Sequence, residues 1–337
     1  MGIVLNKGIL VENLIFVVSK NNFLLIFIMY INRELYTLNI RDIIQSVFNV
    51  KNTDIELIPL KQGMTNDSFI FSINHERYIF RTPGINTDKL INRQQEFDVY
   101  QAIKGDEFIE PIIYIDKEKG YKISKFIENS HTVNPKDWNE ISVCLKRLRD
   151  FHCQSHRVEH SFDVFEHINY YESLMPNASK YEDYRETKKN IESLEPIIEN
   201  LVKDWNLCHI DAACDNFLVT ENQDVYLIDF EYAAMQDPDL DLAMFIVYSL
   251  FNRQEIDRII DIYFENQATL LKRYKIYSYI AIVGLLWSNW CEAKQDKELL
   301  NSSYAQQQYN YAKTFYQIVF NEARNLSEFR ELVDSYA

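Results

Sequence analysis

Glycine and proline are scarce in this chain, seven of each in 337 residues, which leaves little room for linkers or low-complexity sequence; no internal repeat is visible either. Cysteine is limited to positions 144, 153, 208, 214 and 291, with no C-x-x-C pair. An odd, unclustered set supports neither a disulfide framework nor a zinc site, and a reducing cytoplasm is the expected location. Positive charge is short as well: 35 Lys and Arg against 50 Asp and Glu leave a net charge of −15. Nucleic-acid binding runs on clustered cations and counterion release, so no nucleic-acid partner is expected and a small cationic substrate fits better. A spanning apolar run is missing too. Residues 9–31 are the most apolar stretch, but Glu12, Asn13, Lys20, Asn21 and Asn22 interrupt them, and no run reaches the roughly 18–20 residues that a spanning helix needs. There is no basic n-region or small-residue cleavage site of a signal peptide. We expect residues 1–29 to be an upstream extension of a protein whose globular patterning starts at Tyr30, with an interfacial anchor as the alternative.

What is present centres on residues 208–231, CHIDAACDNFLVTENQDVYLIDFE. His209, Asp211 and Asn216 stand in an H-x-D-x-x-x-x-N spacing, and Asp229 follows thirteen residues later. Phosphoryl transfer of the kinase type needs one carboxylate to accept the proton of the attacking hydroxyl, and an amide and a second carboxylate to hold metal ions against the nucleotide phosphates. His209 and Asp211 are therefore the candidate catalytic residues, and Asn216 and Asp229 the candidate metal ligands. The runs FLV and VYLI across the turn TENQD read as a hairpin that brings Asn216 and Asp229 to one end. A buried histidine with two acids at hairpin ends is the plainer reading of any one of these residues alone.

A chain of this length accommodates two lobes sharing a cleft. We expect a nucleotide-binding lobe over 30–127 and a helical lobe over 128–337. After a helix at 40–48, IELIPL, SFIFSI and RYIFRTPG read as the antiparallel start of a small lobe. Gly63, with Thr65, Asn66 and Ser68 as hydrogen-bond donors, sits where a loop would cover nucleotide phosphates; a plain hairpin turn would look the same. Arg81 is the candidate phosphate-side cation, and Glu96, on a helix starting near Thr87, its partner. EPIIYIDKEKGYKISKF adds two strands that run into Phe126 and Ile127, where the lobes would meet and the adenine would lie. Asn134 and Pro135 read as the start of a helix with a buried stripe from Trp138 to Phe151, closed by His152 as a core histidine. Helices are expected over 163–175 and 178–204. Asp237, Asp239 and Asp241 crowd the start of another, where capping explains all three; the functional reading is that Asp241 braces the catalytic loop. Trp287 and Trp290 share one face of a later helix, and SSYAQQQYNYAKTFY adds Tyr304, Tyr309 and Tyr311. Such a stripe is usually core, but a quaternary ammonium is held by aromatic faces, each contributing roughly 0.5–2 kcal/mol.

The segments QGMTNDSFIF, YIFRTPG, LINRQQE, HIDAACDN with LIDFEYA, and WSNWCEAK resemble those of the bacterial choline kinases, within the wider choline/ethanolamine kinase and aminoglycoside phosphotransferase group. They spread over residues 57–294. The resemblance implies an α+β, protein-kinase-like two-lobed fold, with a small antiparallel-sheet lobe, a mostly helical lobe, and ATP and Mg2+ between them. It implies Asp211 as base, Asn216 and Asp229 as metal ligands, Arg81 with Glu96 at the phosphates, and Tyr232, Trp287 and Trp290 around choline, with Glu231 adding negative charge near the cation. Ethanolamine, an aminoglycoside or another amino alcohol is the alternative acceptor, and a silent nucleotide- or choline-binding module the alternative outside the enzymes.

Overall fold

The computed structural model describes residues 40–51, 54–60, 66–84, 90–294, 297–300 and 302–322. The apolar extension, Gly63, Thr65 and Thr87 lie outside them. The described residues fall into two compact units, one up to Ile58 together with Phe71–Glu76, the other Pro59–Ile70 with Arg77 onward. In the first, helix α1 (40–48) buries Ile40 and Ile44. Its Phe48 meets Phe71 edge-on at 5.8 Å, and Arg41 Nε donates to Ile55 O at 2.9 Å.

Strands β1 (Ile58–Pro59), β2 (Asn66–Ile73), β3 (Glu76–Pro83), β4 (Ile112–Ile115) and β5 (Lys122–Lys125) form one sheet in the order β1-β2-β3-β5-β4. β5 pairs antiparallel with β3, Arg81 opposite Lys122, and with β4 on its other side. Helix α2 (Arg93–Ala102) lies between β3 and β4 in the chain. It starts later than the sequence pattern indicated, because Asn92 caps it by accepting from Gln95 N at 3.2 Å, which satisfies a first-turn donor and fixes the boundary.

The rest is mostly helical. Strand β6 (Ser130–Thr132) leads to α3 (Trp138–His152), capped by Asp137 one turn after the expected Asn134. Ile141, Leu145, Leu148 and Phe151 form its buried stripe. Then come α4 (Val164–Leu174), α5 (Tyr184–Glu192) and α6 (Glu195–Asn200). The expected single helix over 178–204 is thus two, broken where Pro196, which has no N–H, opens the second. Strands β7 (Asn206–Cys208), β8 (Phe217–Thr220), β9 (Val225–Leu227) and β10 (Ala234–Gln236) form two small sheets: β7 with β10, and β6-β8-β9. Helices α7 (Pro238–Tyr248), α8 (Arg253–Tyr263), α9 (Leu270–Ala293), α10 (Lys297–Leu300) and α11 (Ser303–Glu322) complete the chain.

Helix α9 is the axis of this part, buried from Lys275 to Glu292 and flanked by α4, α7 and α11. Its Gly284 permits the approach of α11: a Cβ there would stand 2.8 Å from Ala312 N and Gln308 O, which are backbone and cannot yield. No helix among the described residues is long and apolar enough to cross a membrane.

Candidate active site

Strand β7 delivers the chain to the catalytic loop. Ile210 has φ +66, an uncommon conformation for a β-branched residue that must be held from outside. The holder is Asp241, fully buried in α7, whose two oxygens accept from His209 N and Ile210 N, each at 2.6 Å. His152 Nε2 lies 2.9 Å from Asp241 Oδ2, and its Nδ1 lies 2.6 Å from Tyr263 Oη, so the histidine that closes α3 belongs to this brace. His209 Nε2 donates to Ile228 O at 2.8 Å. Burial holds His209 below the usual histidine range, so the ring is a neutral strut between loop and hairpin.

Asp211 is half-buried, and its carboxyl is pushed up to about 7. Burial is the main cause and Glu231 adds to it, while Tyr248 and Asn216 pull the other way. A carboxylate with proton affinity near neutrality suits general-base work. Asn216 Nδ2 donates to Asp211 O at 2.8 Å and Oδ2 at 2.9 Å, which leaves the amide oxygen as the end that can face a cation. Phe217 pairs with Leu227 in the β8–β9 hairpin. Asn216 therefore enters the hairpin at the end where Asp229 leaves it, as the spacing predicts. The donors there are an amide oxygen and a carboxylate, a set suited to a hard cation such as Mg2+.

Asp229, at φ +67, pairs with the Arg81 guanidinium, which also pairs with Glu96. Burial works against the Arg81 charge, but Glu96 and Glu231 outweigh it and raise Arg81 above the ordinary arginine value. Behind this pair lies a second network: Lys122 and Tyr100 both bond Glu110, whose Oε1 accepts from Asp229 N at 2.9 Å.

Two residues sit differently from expectation. Asn66 is buried, and its amide donates to Glu231 Oε2 at 2.8 Å, so its side chain is engaged inside the protein. Glu231 is itself buried and is further paired with Arg93 at 3.4 Å and Arg81 at 3.7 Å. Its charge is compensated by arginines instead of standing open beside an acceptor. Ser68 is half-buried on β2, with its carbonyl accepting from Leu60 N at 2.9 Å.

The aromatic residues converge from separate elements. Trp287 lies 5.7 Å from Trp290, 4.8 Å from Tyr248 and 6.3 Å from Tyr232, centroid to centroid. Trp287 Nε1 approaches Met244 Sδ at 3.0 Å. Burial is the main cause that raises the phenols of Tyr171 on α4 and Tyr304 on α11, and the Asp211 charge contributes to each. Tyr304 belongs to the aromatic stripe that the sequence marks, whereas Tyr171 and Tyr248 carry no such signal, because in long apolar helices they look like any core tyrosine. Tyr309 and Tyr311 do other work. Tyr309 stacks on Tyr181 at 3.7 Å and bonds Asp183 and Thr187, and Tyr311 donates to Phe251 O. A cavity of about 570 Å³ is lined in part by Arg93, Glu231 and Tyr232. Its lining includes neither Asp211 nor Asp229.

With this geometry in place, the profile of the choline/ethanolamine kinase family matches residues 57–278. The chain belongs to the choline/ethanolamine kinase family. It is 26% identical over 249 residues to the protein LicA of Haemophilus influenzae, covering 69% of this chain and 72% of that protein. In structure it is similar to the choline kinase LicA from Streptococcus pneumoniae, with TM-score 0.73 and 28% identity over 84% of this chain and 99% of that one. It is also similar to LicA in complex with AMP, with TM-score 0.70 and 26% identity over 83% and 98% of the two chains. An aminoglycoside phosphotransferase, APH(2'')-Ib, shares the fold alone at 15% identity, with TM-score 0.58 over 82% and 98% of the chains. This choline/ethanolamine kinase family member accordingly has the protein-kinase-like α+β fold, and it is an ATP-dependent phosphotransferase.

Proposed function

We propose that the protein transfers the γ-phosphate of ATP to the hydroxyl of choline, giving phosphocholine. The observation that carries this reading is the cluster of aromatic side chains around Trp287, whose member Tyr248 acts on the Asp211 carboxyl, with Glu231 already paired with arginines. A quaternary ammonium offers no N–H to bond and is attracted by aromatic faces. A primary ammonium needs acceptors, and Glu231 is committed elsewhere.

Asp211 would orient the choline hydroxyl and accept its proton, while Asn216 holds the carboxylate in place. Arg81, fixed by Glu96, would neutralise the phosphates. Asn216 and Asp229 would hold Mg2+, whose chemistry is to screen the phosphate charge as it shifts toward the leaving oxygen. Catalysis on this reading is mainly positioning and charge stabilisation. We place the reaction in the cytoplasm, where ATP is available and unpaired thiols stay reduced.

The test is coupled ADP release with MgATP against choline, ethanolamine, an aminoglycoside and no acceptor. Choline-dependent turnover is expected. Preference for another acceptor would overturn the reading of the aromatic residues, and ATP binding without turnover on any of them would overturn the kinase reading of this chain.

A further inference from the structure

Three successive residues, Asp229, Phe230 and Glu231, are each held by side chains from the region of the sheet and α2. Asp229 N–H donates to Glu110 Oε1 at 2.9 Å, and Phe230 N–H donates to Tyr100 Oη at 3.2 Å. Glu231 Oε2 accepts from Asn66 Nδ2 at 2.8 Å and from Arg93 Nη1 at 3.4 Å. Arg93 is the hub of this third attachment. Its Nη1 also donates to Glu96 Oε2 at 2.9 Å, and its Nη2 to Asn66 Oδ1 at 3.5 Å. The side chains of Arg93, Glu96 and Glu231 are 8%, 1% and 1% exposed, so water does little to screen their charges.

The arithmetic of charge explains why the arginine is needed. Carboxylate oxygens of Glu96, Asp229 and Glu231 lie within 4.8 Å of one another. With Arg81 alone, three acids would share one cation, and like charges this close push one another apart or take up protons. Arg93 supplies the second cation and leaves the group one net negative charge. Asp229, 26% exposed, is the member open to solvent. The β4–β5 turn is shaped around the same side chain: a Cβ on Gly120, at φ +71, would stand 2.6 Å from Arg93 Cδ and Nε.

We propose that Arg93 is a positioning residue for phosphoryl transfer. By bridging Glu231, Glu96 and Asn66 it pins the Asp229–Glu231 segment to α2 and to the start of β2, so that Asp229 keeps its left-handed backbone and its direction toward the metal. The glutamate that follows Asp229-Phe230 is then a tether. The segment is locked in its working position and does not swing between an active and an inactive one.

This rests on the reading of Asp229 as a metal ligand, and the test has one arm that needs no turnover. Arg93→Met removes the charge and keeps the stem, and Arg93→Lys returns the charge without the fork. In the nucleotide-free protein, hydrogen exchange at the Asp229 and Phe230 amides is expected to quicken in Arg93→Met. In turnover, kcat is expected to fall on the order of 10²-fold, with a higher Mg2+ concentration for half-maximal activity, an unchanged KM for choline, and partial rescue in Arg93→Lys. A folded Arg93→Met protein with wild-type exchange at those two amides and wild-type Mg2+ dependence overturns the proposal. Should Arg93→Met not fold, Glu231→Gln, which keeps the shape and the Asn66 bond, is read by the same two criteria. If the wild type prefers an acceptor other than choline, the exchange arm still decides the tether. If choline is turned over and exchange is unmoved, only the tether falls.

Discussion

On the proposed reading Asp211 carries the chemistry, with two properties behind it: contact with the Asn216 amide and a proton affinity raised by burial. Asp211→Ala is expected to lower kcat by about 10²–10⁴-fold, while ATP affinity, measured by titration calorimetry, stays near wild type; retained turnover would remove Asp211 from the role of base. Four of the five cysteines, Cys144, Cys208, Cys214 and Cys291, are buried. Burial pushes Cys214 up to about 11 and Cys291 to about 12, and raises Cys144 and Cys208 as well. Because the thiolate is the reactive form and appears only above the thiol's own pKa, raising the pH from 7 to 9 should not expose these four to a thiol reagent. Only Cys153, exposed at the end of α3, is expected to react rapidly in the native protein. Fast modification of Cys208 or Cys214 would mean that the catalytic loop opens readily. His152 illustrates the limits of reading one position at a time. As a core histidine it was legible at the end of an apolar stripe, but its bond to Asp241, 89 residues away, was not.

At the scale of elements, the catalytic hairpin was the most legible part, because its determinants are local: two apolar runs, a turn, and polar residues at matched ends. Helix α9 was legible as a helix and ambiguous as a site. Its residues from Lys275 to Glu292 are buried all round, so no polar face marks which side meets a ligand, and the choice falls to the neighbours, with Tyr232 and Tyr248 set against Trp287. Trp287→Ala and Trp290→Ala are each expected to raise KM for choline by roughly 2- to 30-fold, the equivalent of one cation–π contact. Initial-rate kinetics with choline varied would check this, and an unchanged KM in both variants would return the pair to core packing. The boundaries that differed from the sequence pattern have local causes. A cap can be supplied by any of several nearby polar residues, so Asn92 set the start of α2 and Asp137 that of α3. One proline divided the expected helix over 178–204 into α5 and α6.

Across the whole molecule, the proposed nucleotide and metal site draws on residues far apart in sequence, from Arg81 on β3 to Asp229 after β9, so nucleotide binding should stabilise the part of the fold that holds them. With MgATP at about 100 times its dissociation constant, the free energy of unfolding is expected to rise by about 2.7 kcal/mol, measured as a shift of the urea midpoint; no shift in Asp229→Ala is the matching control, and a full shift in that variant would mean that Asp229 takes no part in holding the metal–nucleotide pair. The amino-acid sequence by itself determined the reaction type, because a catalytic loop and a hairpin are short-range objects whose spacing is their geometry. Only the tertiary structure decided where Glu231 points, that Arg93 is buried against it, and that Tyr232 and Tyr248 pack against Trp287. Those relations are set by packing between helices and strands separated by tens to more than a hundred residues. The direction of a buried carboxylate depends on which cations the fold brings to it.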